Sequence, residues 1–135
     1  GPASVDYERL CREADVVSLH LALVPDTAGI VRREHLQSMK RSAILVNPAR
    51  AELVEAGALE QALQDGWIAG AGLDVFRTEP LPAGHPFWRH PKITVTPHTS
   101  ARTLRDESIA QIARKIGALE RGEPIAGVVD PQRGY

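Results

Sequence analysis

Short apolar runs alternate with segments of helical periodicity along the chain. Four runs predict strands, at residues 15–21, 43–47, 69–76 and 93–96. The second run, AILVN, is apolar on both faces, which is typical of a central strand in a parallel sheet. The third run, AGAGLDVF, is rich in small residues, which indicates that neighbouring backbones approach closely there.

The segments between these runs place apolar residues on one side of a helix. Residues 34–39 predict a short helix, and residues 55–64 predict a second, which Gly66 is placed to end. Residues 103–121 predict a long amphipathic helix whose apolar face comprises Ile109, Ile112, Ile116 and Leu119. Strands that alternate with crossover helices predict a parallel α/β sheet.

A dinucleotide-binding fold begins with a strand, a G-x-G-x-x-G turn and a residue that reads the ribose. None of these is found in the 135 residues, and AGAGLD lacks the third glycine and continues into a strand. We therefore expect the second half of a Rossmann-type parallel sheet with flanking helices, lacking the first mononucleotide-binding unit. Residues 1–101 would form this half-domain, and residues 102–135 a C-terminal helix and tail that return toward a substrate domain.

Charge and cysteine content exclude several classes of protein. The 16 basic and 17 acidic residues give a net charge of -1, so nothing favours nucleic acid or an anionic membrane as a partner. No apolar run approaches the roughly 20 residues that span a bilayer. The single cysteine, Cys11, excludes an internal disulfide and a multi-cysteine metal site, and it fits a reducing cytoplasm. No histidine pair has convincing zinc-ligand spacing, so we expect no metal.

Four polar residues follow the predicted strands. Arg50 comes after the second strand, Asp74 lies near the end of the third, Glu79 is in the loop beyond it, and His98 follows the fourth. The carboxyl ends of the strands line the ligand crevice of an open parallel sheet. We therefore expect these four side chains to converge on one crevice.

Three separated blocks carry a family resemblance. The sequences LVNPAR, AGLDVFRTEP and TPH, in that order, resemble the signature blocks of the D-isomer-specific 2-hydroxyacid dehydrogenases. The segment DVVSLHLALVPDTAGIV resembles another part of that family, so the match covers nearly the whole chain. Two residues depart from the family pattern, because Ala51 replaces a usual glycine and Ala22 a usual proline.

The resemblance implies an enzyme that reduces 2-oxo acids with NAD or NADP as cofactor. It assigns Arg50, Glu79 and His98 as the catalytic set. The forked guanidinium of Arg50 would hold the substrate carboxylate and ketone, His98 would donate a proton, and Glu79 would fix the tautomer of His98. The resemblance also places Asp74 and His98 beside the nicotinamide end of the cofactor, with the backbone of Pro48, Ala49 and Arg50.

Two branches of the family are represented in the sequence. HPFWRHPKITVTPH and GEPIAGVVDPQRGY resemble the glyoxylate/hydroxypyruvate reductases, whereas NPARAELVEAGAL resembles a more general branch. The full-length protein is thus expected to convert a small 2-oxo acid, such as glyoxylate or hydroxypyruvate, into the D-2-hydroxy acid. The residue that distinguishes NAD from NADP would lie upstream, so the sequence leaves that choice open.

A second interpretation belongs to a different class: a non-catalytic Rossmann half-domain that serves as a folding or assembly module. The missing phosphate loop favours this interpretation for the chain alone, and Arg50, Glu79 and His98 favour the enzyme for the full-length protein. We expect the chain alone to be inactive. We also expect it to self-associate, as a homodimer or otherwise, because a half-sheet exposes an edge or a face.

Overall fold

A computed structural model describes residues 4–101 and 103–132. The four strands lie in the order β1-β2-β3-β4. Every neighbouring pair is parallel, as the sequence predicts. Its strands are β1 (Val16–Ser18), β2 (Ile44–Asn47), β3 (Gly70–Leu73) and β4 (Ile93–Val95). The α-helices are α1 (Tyr7–Glu13), α2 (Arg33–Ser38), α3 (Ala58–Gln64) and α4 (Arg105–Glu120).

The core forms where β1, β2 and β3 meet the first three helices. Leu45 in the middle of β2 is fully buried and lies in register with Val17 of β1 and Ala71 of β3. Leu36 from α2 and Leu63 from α3 belong to the same buried cluster. The AILVN run is therefore a central strand. Its packing fixes the position at which the chain leaves the sheet after Asn47.

Strand β1 is shorter than the predicted run at 15–21 for a reason in the backbone. Its ladder with β2 continues as far as the Leu19 N–H, which donates to the Val46 carbonyl over 2.9 Å. By the spacing of this ladder, the next bond would come from residue 48 to the Leu19 carbonyl. Residue 48 is proline, which has no N–H, so the pairing ends there.

Small residues in β3 allow the close approach that the sequence indicates. A Cβ on Gly70 would lie 2.7 Å from the Lys92 carbonyl oxygen, which is too close for any side chain. The same atom on Gly72 would meet only the Val46 side chain, at 3.9 Å. Gly70 is therefore required by the approach of the chain that leads into β4.

Helix α3 begins at Ala58 rather than at the predicted residue 55, because Gly57 before it has a left-handed backbone with φ 74°, and two short 3₁₀ helices were not predicted. Helix α3 ends at the expected place, with Gly66 in the left-handed region at φ 69°. The 3₁₀ helices comprise Ala51–Leu53 and Pro86–Arg89. Single turns of this kind carry too few residues to produce an apolar period.

The chain divides into two compact units, residues 1–100 and 101–135. The first contains the whole sheet and the second contains α4. The assignment of residues 102–135 as a segment returning to a substrate domain stays a prediction. Over the described ranges, no helix has the length and apolar character needed to cross a membrane.

Candidate functional site

The turn after β2 is shaped by a buried asparagine. Asn47 is 2% exposed, its side-chain oxygen accepts from the Ala49 N–H over 3.1 Å, and its amide donates to the Arg50 carbonyl over 2.8 Å. These bonds fix the Pro48–Ala49–Arg50 turn at the end of the strand. The Arg50 side chain is exposed, and its Nη1 donates to the Ala49 carbonyl over 2.6 Å.

The carboxylate after β3 ties that strand to the loop after β4. Asp74 is 5% exposed and accepts hydrogen bonds from the Thr96 hydroxyl, the Thr99 N–H (2.9 Å), the Ser100 N–H (2.9 Å) and the Ser100 hydroxyl (2.5 Å). Burial opposes its ionisation, but the bonds from Ser100, Thr96 and Thr99 prevail and hold the pKa of Asp74 well below its usual range. Four donors match the roughly four lone-pair positions of an ionised carboxylate.

The loop after β3 brings an acidic side chain to the histidine after β4. Glu79 Oε2 lies 2.7 Å from Nδ1 of His98, and Oε1 accepts from the Phe76 N–H over 2.8 Å. The hydrogen bond with His98, helped by the one from Phe76, lowers the pKa of Glu79. Side-chain exposures of 47% for His98 and 35% for Glu79 leave the pair accessible to a ligand.

His98 itself has an unusual backbone. Its φ of 53° places a non-glycine residue in the left-handed region. Such conformations persist where the surrounding structure holds them, and they cluster at functional sites. With Nδ1 directed at Glu79, the ring nitrogen that remains for a substrate is Nε2.

The ends of β2, β3 and β4 are connected at one edge of the sheet. The Ser100 hydroxyl, which donates to Asp74, lies 3.5 Å from the Pro48 carbonyl oxygen, so the turn after β2 is next to the loop after β4. The positive charge of Arg50 contributes to the lowered pKa of Glu79, although no hydrogen bond between them is found in the described part of the chain. The structure thus joins Glu79 directly to His98, joins Asp74 to the His98 loop, and places Arg50 within electrostatic range.

A cavity of about 160 Å³ adjoins this edge on the side of α3. Arg50, Glu79 and His98 do not line it. Its walls are mainly apolar and include Val54, Leu59, Leu73, Phe76, Leu81 and Phe87. The polar chemistry therefore lies in the open crevice at the strand ends rather than in this cavity.

Asn47, Thr96 and Ser100 are polar residues of the site that the sequence analysis overlooks. Each lies within three residues of a predicted site residue, and each hydrogen-bonds either a predicted site residue or the turn that carries one. Asn47 could have been found from the sequence, because it is a polar residue at the end of an apolar strand. For Thr96 and Ser100 the signal was a hydroxyl on either side of His98.

Other reactive side chains of the first unit have local structural roles. Cys11 is 2% exposed, and burial raises the pKa of its thiol, so it is a poor nucleophile. Nδ1 of His85 accepts from the Phe87 N–H, and Nδ1 of His90 from the Lys92 N–H. Within the residues that the structure describes, no group of three His, Cys, Asp or Glu side chains could hold a metal ion.

Comparison with known families gives one clear match. Residues 1–100 match the model described as the D-isomer specific 2-hydroxyacid dehydrogenase, NAD binding domain. A glyoxylate/hydroxypyruvate reductase A from Serratia proteamaculans is 53% identical over 112 residues, which are 82% of this chain and 36% of that protein. The chain thus spans little more than a third of the length of this relative.

Solved structures share the fold. A D-isomer specific 2-hydroxyacid dehydrogenase from Xanthobacter autotrophicus Py2, in complex with NADPH and MES, superposes with a TM-score of 0.87 at 36% identity, covering 100% of this chain and 60% of that one. The NADPH-dependent glyoxylate/hydroxypyruvate reductase of Sinorhizobium meliloti, in complex with NADP and sulfate, gives a TM-score of 0.88 at 29% identity, covering 97% and 44%.

Proposed function

We propose, from the premise that the chain belongs to the D-isomer-specific 2-hydroxyacid dehydrogenase family, that it carries the acid–base and carboxylate-binding groups of a 2-oxo acid reductase. The full-length protein would reduce glyoxylate or hydroxypyruvate to the corresponding 2-hydroxy acid, in the D configuration where that acid is chiral. The name of its Serratia relative suggests these two substrates. The observation that carries the proposal is the 2.7 Å contact between Glu79 and His98 at the strand ends.

The family is described by its NAD binding domain, and we place the nicotinamide end of the cofactor at the crevice. The backbone of Pro48, Ala49 and Arg50 would face the ring, and Asp74 and His98 would contact the ribose or carboxamide region. The four acceptor positions of Asp74 are filled by Thr96, Thr99 and Ser100, so a cofactor contact would have to share or replace one of these bonds. When bound, the cofactor supplies the hydride for the reduction.

Arg50 would bind the substrate. A 2-oxo acid presents a planar carboxylate beside a ketone, and a guanidinium donates to both through parallel N–H groups. The short bond from Arg50 Nη1 to the Ala49 carbonyl would be exchanged for the substrate carboxylate. The exposed position of Arg50 makes that exchange sterically simple.

His98 would donate the proton. Addition of a hydride to the ketone carbon leaves a negatively charged oxygen, which takes a proton from Nε2 of the imidazolium. Glu79 holds Nδ1, fixes the orientation of the ring and stays ionised because its pKa is lowered. Together the two residues would deliver one proton for each hydride added.

The experiment is a reduction assay with the full-length protein, followed by the absorbance of NADPH and NADH with glyoxylate and hydroxypyruvate. An Arg50→Lys variant keeps the charge but loses the forked geometry, so the KM for the 2-oxo acid should rise about tenfold or more. Arg89→Lys, at an exposed arginine outside the crevice, should behave like the wild type. The alternative, a non-catalytic folding or assembly module, requires no turnover by any of these proteins.

Charge, cysteine content and exposed apolar residues bear on where the protein resides and what it binds. The balanced charge and single buried cysteine support a cytoplasmic protein that binds neither nucleic acid nor membranes. Self-association, as a homodimer or a larger assembly, is proposed from the exposed apolar residues of β1 and α4, among them Val16 and Ile112. The preference between NAD and NADP is left to the assay.

A further inference from the structure

The loop that carries His98 is held by hydroxyl groups on both sides of the histidine. Thr96 precedes it by two residues, and Ser100 follows it by two. Both hydroxyls donate to Asp74, as do the N–H groups of Thr99 and Ser100. The segment 96–100 is thus fastened at both ends to one carboxylate.

The carboxylate of Asp74 is itself held in a fixed position. Asp74 is 5% exposed and follows directly on β3, whose register with β4 is fixed by backbone bonds. Hydrogen bonds to an ionised, buried acceptor are stronger than those between neutral groups, and water competes poorly for them. The hydrogen bonds to Asp74 therefore hold the loop in a fixed position relative to the sheet.

The hydrogen bonds of segment 96–100 to Asp74 explain how His98 keeps its left-handed backbone. A residue other than glycine avoids φ near 53° unless its surroundings impose it. The bonds of its flanking residues to Asp74 oppose relaxation of the histidine toward an extended conformation. Its ring then remains where Nδ1 meets Glu79 and Nε2 is left for the substrate.

We infer that Thr96 and Ser100 are positioning residues for His98, acting through Asp74. The inference rests on the proposed function, since it concerns the proton donor of that reaction. Loss of either hydroxyl would weaken the hold of Asp74 on that side of the loop, where the backbone bonds of Thr96, Thr99 and Ser100 remain. The backbone of His98 would then relax in part and move the ring away from the substrate. A displacement of about 1 Å can reduce a rate on the order of a hundredfold.

The variants are Ser100→Ala, Thr96→Val and Thr96→Ser. The last restores the hydroxyl and serves as the conservative rescue. Thr94→Val is the matched control, because Thr94 is an exposed threonine of β4, two residues before Thr96, whose side chain makes no hydrogen bond within the described ranges. The thermal unfolding of each variant separates a general loss of stability from a local change.

Two readouts are measured. Nuclear magnetic resonance of this chain with labelled histidine follows the ring signals of His98, which depend on the contact of its Nδ1 with Glu79. Steady-state kinetics of the full-length protein gives kcat and KM. Ser100→Ala and Thr96→Val should shift the ring signals and lower kcat about tenfold or more, with the KM for the cofactor changed less than about twofold. Thr96→Ser and Thr94→Val should resemble the wild type in both readouts.

Unchanged ring signals in Ser100→Ala and Thr96→Val would overturn the inference, as would an equal effect of Thr94→Val. A fall in kcat without a change of the ring signals would also overturn it, because the hydroxyls would then act by another route. A wild-type full-length protein without reductase activity would refute the proposed function instead. The ring signals would still decide whether the hydroxyls position His98.

Discussion

Glu79 Oε2 lies 2.7 Å from Nδ1 of His98, although the two residues are 19 positions apart and follow different strands. The contact assigns each nitrogen of the imidazole a task, with Nδ1 held by the carboxylate and Nε2 free to serve the substrate oxygen. Removing the charge of Glu79 while keeping its shape should therefore affect the chemical step more than substrate binding.

The Glu79→Gln variant of the full-length protein should lose about a hundredfold in kcat, since general acid–base catalysis contributes on the order of 10²–10⁴. The KM for the 2-oxo acid should change much less, because Arg50 binds the carboxylate. Glu60→Gln, at an exposed position of α3, is the matched control. An unaltered kcat in Glu79→Gln would mean that the acidic partner has no part in proton transfer.

Asp74 should make the stability of the chain depend on pH in the acidic range. Its pKa in the folded chain lies below that in the unfolded chain, so its contribution is present in full above the unfolded value of about 3.9 and is lost as the pH falls toward the folded value. The free energy of unfolding, measured in urea, should fall between about pH 5 and pH 3 and less steeply in Asp74→Asn.

The Asp74→Asn variant should also be less stable at neutral pH, by about 1–3 kcal/mol, because an amide cannot accept from all four donors. Asp26→Asn, at an exposed carboxylate, should retain the pH dependence of the wild type. A wild-type slope in Asp74→Asn would show that other carboxylates account for the acid sensitivity.

Gly70 and Gly72 of β3 provide a matched pair of positions at which the effect of an added Cβ on stability can be compared. Gly70→Ala should destabilise the chain by about 1–3 kcal/mol, because the new Cβ would lie 2.7 Å from the backbone oxygen of Lys92. Gly72→Ala places its Cβ at an ordinary 3.9 Å from Val46 and should change stability by less than about 1 kcal/mol. Equal effects in thermal unfolding would contradict the close approach of the Lys92 backbone to β3.

Self-association should proceed through exposed apolar surface. Val16 lies on the edge strand β1 and is 57% exposed, and Ile112 on α4 is 58% exposed. Sedimentation over a wide concentration range should show dimers or larger species of this chain. Val16→Lys should suppress pairing through the strand edge, and Ile112→Lys should suppress association through the helix. A chain that stays monomeric at every concentration would count against both routes.

The parallel sheet could be predicted because four apolar runs alternate with helices, whereas the order of its strands came only from the structure. The role of Gly70 was visible as a small residue in a strand, although its partner Lys92 was not. The pairing of Glu79 with His98 followed from the family resemblance rather than from spacing, since it depends on the path of a loop. The bonds of Thr96 and Ser100 to Asp74 required the loop conformation itself, which no periodic pattern records.

The sequence identifies Asp74 as a site residue but does not reveal the hydrogen bonds that its carboxylate accepts. The resemblance places it beside the cofactor, and its position after β3 agrees with that. Its acceptor positions, however, are occupied by groups of the protein, which only the folded loop could reveal. Its role toward the cofactor stays a prediction.

We expect this chain to hold the proton donor of a 2-oxo acid reductase and to need the rest of the protein for turnover. The measurement is the oxidation of NADPH with glyoxylate and with hydroxypyruvate, by the full-length protein, by its His98→Ala and His90→Ala variants, and by this chain alone. The full-length protein and His90→Ala should turn over, His98→Ala should lose about a hundredfold or more in kcat, and the chain alone should be inactive. Full activity in His98→Ala would show that His98 is not the proton donor, and robust turnover by the chain alone would show that it needs no other part of the protein.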